Sequence, residues 1–339
     1  MNSREQVKMV FNRISVSGSG VFWTGHPNEA TLPIYGEAFG ISPTRESIYS
    51  YLGDDCRFLP ADSCYKHPEG RSAMNHFNGK LKSTLSAGGA FSEAEAVSDV
   101  NKHDWPDTKY LDFTELYETI KGFKDKSVFT GLWSPFFHDL CFFFGMENYF
   151  IQMYENPALV EAVTERVVDY YVEANELFFS GLGDAADTMF FGNDFGTQLD
   201  LFISPEMFRK FVLPSFKRII AVGKKHQKFI MLHSCGSIAR IIPDLIDAGV
   251  DVLHPIQAQA VGMNADNLAQ YKNDLAFVGG IDAQSFFVDA TPDEIKNEVR
   301  RVRKILGPNI VISPSHEEIL PNIPSANIKA MAEASREPM

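Results

Sequence analysis

The sequence predicts a single (β/α)8 TIM barrel with an N-terminal helical and loop extension, and three observations carry that reading. From residue 186 onward, short apolar runs alternate with amphipathic helical segments, as parallel strands joined by crossover helices do. Each run ends in a polar or glycine-rich cluster: Asn193-Asp194, His233-Cys235, His254, Asp282 and His316-Glu317. In a closed barrel those strand ends converge on one rim. A doubly wound sheet shares the alternation but binds its nucleotide at a glycine-rich first strand–helix turn, which this chain lacks.

The elements follow in order. Residues 3–13 form a first helix, with Val7, Val10, Phe11 and Ile14 on one side. Val21-Phe22-Trp23 is a first strand, and 29–39 and 44–52 are helical. Residues 54–89 are rich in Gly, Ser, Asn and His and read as an irregular excursion, loops or a small hairpin folded over the barrel top. Helical spacing returns over 92–104 and 112–122, and Ser127 to Leu132 is a strand. Asn156-Pro157 gives a long helix its N-cap and first-turn proline. Its stripe Leu159, Val163, Val167, Tyr170, Ala174, Leu177 and Phe178 runs to about Ser180. Thr188 to Phe191, Phe229 to Leu232, Val252 to His254, Ala276 to Val278 and Ile310 to Ile312 are the remaining strands. The helices between them start at Ser204-Pro205, at Ser237, near 264 and at the capping box Thr291-Pro292-Asp293-Glu294. A last helix runs from about Ser325 to Glu333.

Composition narrows the function classes. The 339 residues are 45% hydrophobic, enough for one large domain spanning 1–339. Lys and Arg number 31 against 44 Asp and Glu, a balance of −13 that repels phosphate backbones and argues against nucleic acid. No apolar stretch is long enough to span a bilayer, and the N-terminal Met-Asn-Ser-Arg-Glu-Gln has no apolar signal core. Cys56, Cys64, Cys141 and Cys235 are scattered without a paired rhythm, so the expectation is a reduced, cytoplasmic protein acting on a small molecule. Assembly into a homo-oligomer is left open.

The chemistry concentrates where the run from Phe229 ends. His233 and Cys235, two apart in extended backbone, project from the same face, and Gly236 lets the chain turn. An imidazole and a thiol placed so make a bidentate grip for zinc; the bland alternative is a buried histidine beside an inert cysteine. If the barrel closes, His316 at the last strand lies across the mouth and supplies a third ligand, with Glu317 as its rival. Asp194 and Asp282 stand at strand ends, where a carboxylate orients a bound group or takes a proton, or merely caps a turn. Gln198 and Gln257 can offer amides to a polar substrate. Trp23 and His26 border the same pocket, Phe136 belongs to a run that lines an apolar cleft or the core, and His254 packs beside its strand before Pro255.

Together these residues resemble the uroporphyrinogen decarboxylase superfamily. The likeness rests on Ile203-Ser204-Pro205-Glu206-Met207-Phe208, Leu232-His233-Ser234-Cys235-Gly236, Gly279-Gly280-Ile281-Asp282 and Asn327-Ile328-Lys329-Ala330-Met331, with Ser98-Asp99 and Trp105-Pro106-Asp107 ahead of them. The superfamily implies a (β/α)8 barrel and contains true decarboxylases beside zinc-dependent methyltransferases that work with corrinoid proteins. The decarboxylases grip their tetrapyrrole carboxylates with arginines after the first strand, and Phe22 to Asn28 holds none. The methyltransferases bind zinc through a His-x-Cys pair, matched by His233 and Cys235, and a cysteine near the last strand, where this chain has Pro314-Ser315-His316. The resemblance therefore implies a zinc-dependent methyltransferase whose partner is a corrinoid-binding protein, demethylating a small compound or methylating a thiol. Its alternatives are a cofactor-free decarboxylase of a smaller acid and a barrel that binds a tetrapyrrole, corrinoid or metal without turnover.

Overall fold

Eight parallel strands form a nearly closed barrel in the computed structural model, which describes residues 1–14, 20–77 and 88–338. They are β1 (Val21–Phe22), β2 (Cys56–Pro60), β3 (Ser127–Gly131), β4 (Thr188–Gly192), β5 (Phe229–His233), β6 (Val252–Ile256), β7 (Ala276–Ile281) and β8 (Ile310–Pro314). Neighbours in the chain pair from β2 through β8, and β8 pairs back onto β1. Because the strands are covered on both faces, they are mostly apolar runs rather than a regular alternation with polar residues. Trp23, Phe129, Phe190, Met231, Val252, Val278 and Val311 fill the barrel. Phe191, Leu232, Leu253, Phe277 and Ile312 face the surrounding helices.

The seam between β1 and β2 is bridged mostly by side chains. The Asp54 carboxylate accepts the Thr24 and Cys56 backbone N–H groups at 2.6 and 2.9 Å. Asp55 accepts the Phe22 N–H at 2.9 Å, and its own N–H donates to the Phe22 carbonyl at 3.0 Å. Asp54 is fully buried, and that burial pushes its carboxyl up to about 6 against the pull of these hydrogen bonds.

Helix α1 (Ser3–Phe11) starts on an Asn2–Glu5 capping box and adds Val7, Val10 and Phe11 to the cluster inside the barrel. The apolar stretch from 136 is a helix, α2 (Phe136–Phe144), and the long helix α3 (Pro157–Leu182) runs two residues beyond its expected end. At the other end of the barrel, a short parallel pair joins His26–Pro27 to Glu318–Ile319 and draws the segment after β8 toward the segment after β1.

Three expectations need correction. The excursion over 54–89 contains a barrel strand, β2, and its residues 78–87 lie outside the described ones. The helix expected over 92–104 is limited to Val97–Val100. The helix expected from 237 begins at Ile242, after the turn Ala239–Ile241. All four cysteines are free, and among the described residues no helix is long and apolar enough to cross a membrane.

Candidate functional site

Strand β5 delivers His233 to the barrel mouth, in register with Gly192 on β4 and His254 on β6. The backbone then turns at Gly236, whose φ of +84° suits glycine, and any Cβ there would run into the Gly196 carbonyl. This close approach seats the segment after β4 against the turn. The Asn193 N–H donates to the His233 carbonyl at 3.0 Å, and the Ser237 N–H to the Thr197 carbonyl at 2.7 Å.

Asp194 thereby joins the histidine–thiol pair. Its Oδ1 accepts the Cys235 N–H at 2.8 Å and lies 3.4 Å from His233 Nε2. Cys235 Sγ lies 3.4 Å from the same nitrogen. One ligand atom from each of the three residues falls within 4.8 Å of the others. Gln257 accepts the Gly236 N–H through Oε1, so this amide fixes the turn that carries the thiol.

The other face of His233 is equally occupied. Its Nδ1 is 3.1 Å from His254 Nδ1 and 3.6 Å from Glu317 Oε2. Burial opposes a proton on His233, but Glu317 and Asp194 outweigh it and raise the imidazole well above its ordinary range. Burial would likewise raise Asp194, yet His233 and the Cys235 N–H hold it at about 2. Burial pushes the Cys235 thiol up, with His233 pulling the other way. The protonated site is thus an imidazolium held between two carboxylates beside a neutral thiol. An N, S, O donor set of this spacing suits zinc, which binds the deprotonated forms and so takes the place of these protons.

His316 is not in the cluster. After β8 the Ser315 N–H donates to the Ile281 carbonyl, and the chain turns into the Glu318–Ile319 pairing. His316 Nδ1 accepts the Glu318 N–H at 3.0 Å with 44% of its side chain exposed. Glu317 faces His233 instead. Asp282 behaves as a cap: burial works against its charge, but the N–H groups of Phe286, Gln284 and Ser285 and the Ser285 hydroxyl hold it below its ordinary range. Gln198 is exposed, Phe136 is fully buried among the residues outside the barrel, and Trp23 is fully buried inside it. His26 is half-buried, its ring 6.4 Å from Phe58.

Sequence reasoning missed Trp133 and His138 and named Asn193 only as part of a strand-end cluster. The Trp133 indole, just past β3, lies 5.1 Å from the His233 ring, 5.2 Å from Phe190 and 5.8 Å from Phe58. His138 on α2 places Nε2 3.8 Å from Asp194 Oδ2. Asn193 fixes that loop, accepting the Phe137 N–H at 2.9 Å and donating to the Ser134 carbonyl at 3.1 Å. The available signal was positional: Leu132-Trp133-Ser134 ends a strand just as the clusters around His233 and Asp194 do.

Comparison with known proteins adds a family and a fold. The family model described as Uroporphyrinogen decarboxylase (URO-D) matches residues 87–338. Comparison with curated protein sequences gives no match. Among solved structures, a methyltransferase from Methanosarcina mazei superposes with a TM-score of 0.70 at 15% identity, covering 99% of this chain and 98% of its own. An Ignisphaera aggregans GH53 catalytic domain gives 0.46 at 13% identity, covering 94% and 99%. A putative vitamin-B12 independent methionine synthase from Listeria monocytogenes gives 0.41 at 12%, covering 95% and 96%. The first likeness is one of fold, and the other two are too loose to bear on fold or function.

Proposed function

The chain belongs to the uroporphyrinogen decarboxylase family, and we propose that within it the protein is a zinc-dependent methyltransferase. The observation that carries this reading is the convergence of Asp194, His233 and Cys235 at the mouth of the barrel. His233 through Nε2, Cys235 through Sγ and Asp194 through a carboxylate oxygen would hold the metal. Bound there, zinc supplies Lewis-acid activation of an acceptor thiol or of the methyl donor's heteroatom.

The chain's own groups set the geometry. His254 fixes the His233 ring through Nδ1, as a hydrogen-bonded partner behind a metal ligand does, and Glu317 stands 3.6 Å from the same nitrogen. Asp194 and Gln257 hold the backbone on either side of the Cys235–Gly236 bond. Trp133 lies against His233 and keeps water from that side of the ring. The methyl group's second station is read as a corrinoid on a separate protein, as in the methyltransferases the sequence resembles. The Methanosarcina mazei methyltransferase shares the fold. Decarboxylation of a polycarboxylate macrocycle fits less well, because Phe22 to Asn28 offers no arginine for its acid groups.

The test mixes the zinc-loaded protein with a methylated corrinoid and a panel of thiols and follows loss of the corrinoid methyl group. Transfer that disappears in Cys235→Ser supports the reading. Transfer unchanged in that variant, or no transfer in either direction, overturns it.

A further inference from the structure

We propose that the mouth beside His233 contains a subsite for the methylated onium head of a small organic cation, with Trp133 and Phe58 as its aromatic wall and Glu317 as its counter-charge; this names a substrate class for the methyl transfer proposed above. Trp133 and Phe58 are partly exposed, whereas Phe190 and Trp23, against which they pack, are fully buried. The exposed pair is therefore the aromatic surface that a molecule entering the mouth meets. Trp133 is held in place from two sides. Its backbone N–H donates to the Asp62 carboxylate at 3.0 Å, and Gly192 leaves its indole the volume that any Cβ would fill.

The polar side of the mouth is acidic. Glu317 Oε2 is buried without a hydrogen-bond partner, and the ion-pair neighbours of Glu317 and Asp194 among the described residues are histidines. With Asp194 Oδ1 committed to the Cys235 N–H, Glu317 is the carboxylate at the mouth whose Oε2 no hydrogen bond occupies. Aromatic faces beside an unneutralised carboxylate favour a cation whose methyl groups carry its charge diffusely. Release of a methyl group from such a donor breaks one C–N bond, and the acceptor, a thiolate or the reduced corrinoid of the separate protein, would supply the electron pair of the new bond to carbon. The electron pair of the broken bond stays on the nitrogen of a neutral amine, which leaves without a proton.

Calorimetric titration of the zinc-loaded protein with choline and with its uncharged isostere 3,3-dimethylbutan-1-ol tests the proposal. Choline is expected to bind about tenfold more tightly than the isostere. Trp133→Leu should abolish that preference, Trp133→Phe should keep it, and Glu317→Gln should weaken choline alone. Zinc content and circular dichroism are read on each variant, so a lost metal or a lost fold is seen separately. Equal binding of the two probes, no choline binding, or a preference indifferent to Trp133→Leu overturns the subsite. Failure to hold zinc overturns the methyltransferase reading instead, and the metal-free protein then serves for the same titration.

Discussion

Gly192 is the residue that makes room for Trp133: a Cβ at its position would overlap the six-membered ring of the indole. The two are 59 positions apart in sequence and meet because β3 and β4 are adjacent in the barrel. Gly192→Ala should therefore cost about 1–3 kcal/mol through overpacking. Adding Trp133→Leu should recover part of that loss, since the clashing ring is gone. Urea denaturation of the four proteins of this cycle checks it, and strictly additive effects would deny the contact.

Asp282 caps the turn after β7 and lies outside the Asp194–His233–Cys235 cluster. Its carboxylate accepts the N–H groups of Gln284, Ser285 and Phe286 at 3.1, 3.3 and 3.0 Å. Asp282→Ala should destabilise the protein by about 1–2 kcal/mol, the loss typical of a removed cap, while zinc content stays at the wild-type level. A drop in metal with unchanged stability would reverse this assignment.

Asp54 gives the fold a specific pH dependence. Its carboxyl is at about 6 in the folded protein and at an ordinary 3.8 when exposed, so between those values the folded state binds the extra proton. The stability this adds is fully present below pH 3.8 and lost as pH rises through 6. Relative to Asp54→Asn, the wild type should gain about 1 kcal/mol on going from pH 7 to pH 5. Thermal unfolding of both proteins at the two pH values measures the difference, and a constant gap would refute the assignment.

Asp194 stands beside His233 and Cys235 in the place that the sequence suggests for His316. Asp194→Ala should reduce zinc affinity by about tenfold or more, and His316→Ala should change it little. Competition against a chelator separates the two outcomes. A larger loss in the His316 variant would show that the segment after β8 swings inward when metal binds.

The pattern of what was legible follows from the kind of signal each residue carries. Barrel class, strand ends and the His233–Cys235 pair can be read because period-2 projection and apolar alternation are local properties of the chain. Strand β2 was hidden by Arg57 within it, a residue unusual in a buried strand, and by Asp54 and Asp55 just before it. Their charges are absorbed by partners distant in sequence: Arg57 donates to Glu46 at 2.6 and 2.8 Å and lies over the Tyr49 ring at 4.8 Å, and the two aspartates close the seam. His316 was expected in the cluster because β8 ends beside it. The parallel pairing of Glu318–Ile319 with His26–Pro27 redirects that segment, and a two-residue pairing leaves no pattern in sequence. Trp133 and Asp194 reach His233 only through the packing of adjacent strand–loop segments, which no local spacing encodes.

X-ray absorption at the zinc edge, on protein purified without added metal, tests the central claim most directly. The account predicts one sulfur at about 2.3 Å with nitrogen and oxygen ligands at about 2.0–2.2 Å, and loss of the sulfur shell in Cys235→Ser. A shell with no sulfur, a shell with two, or protein that holds no zinc would contradict it.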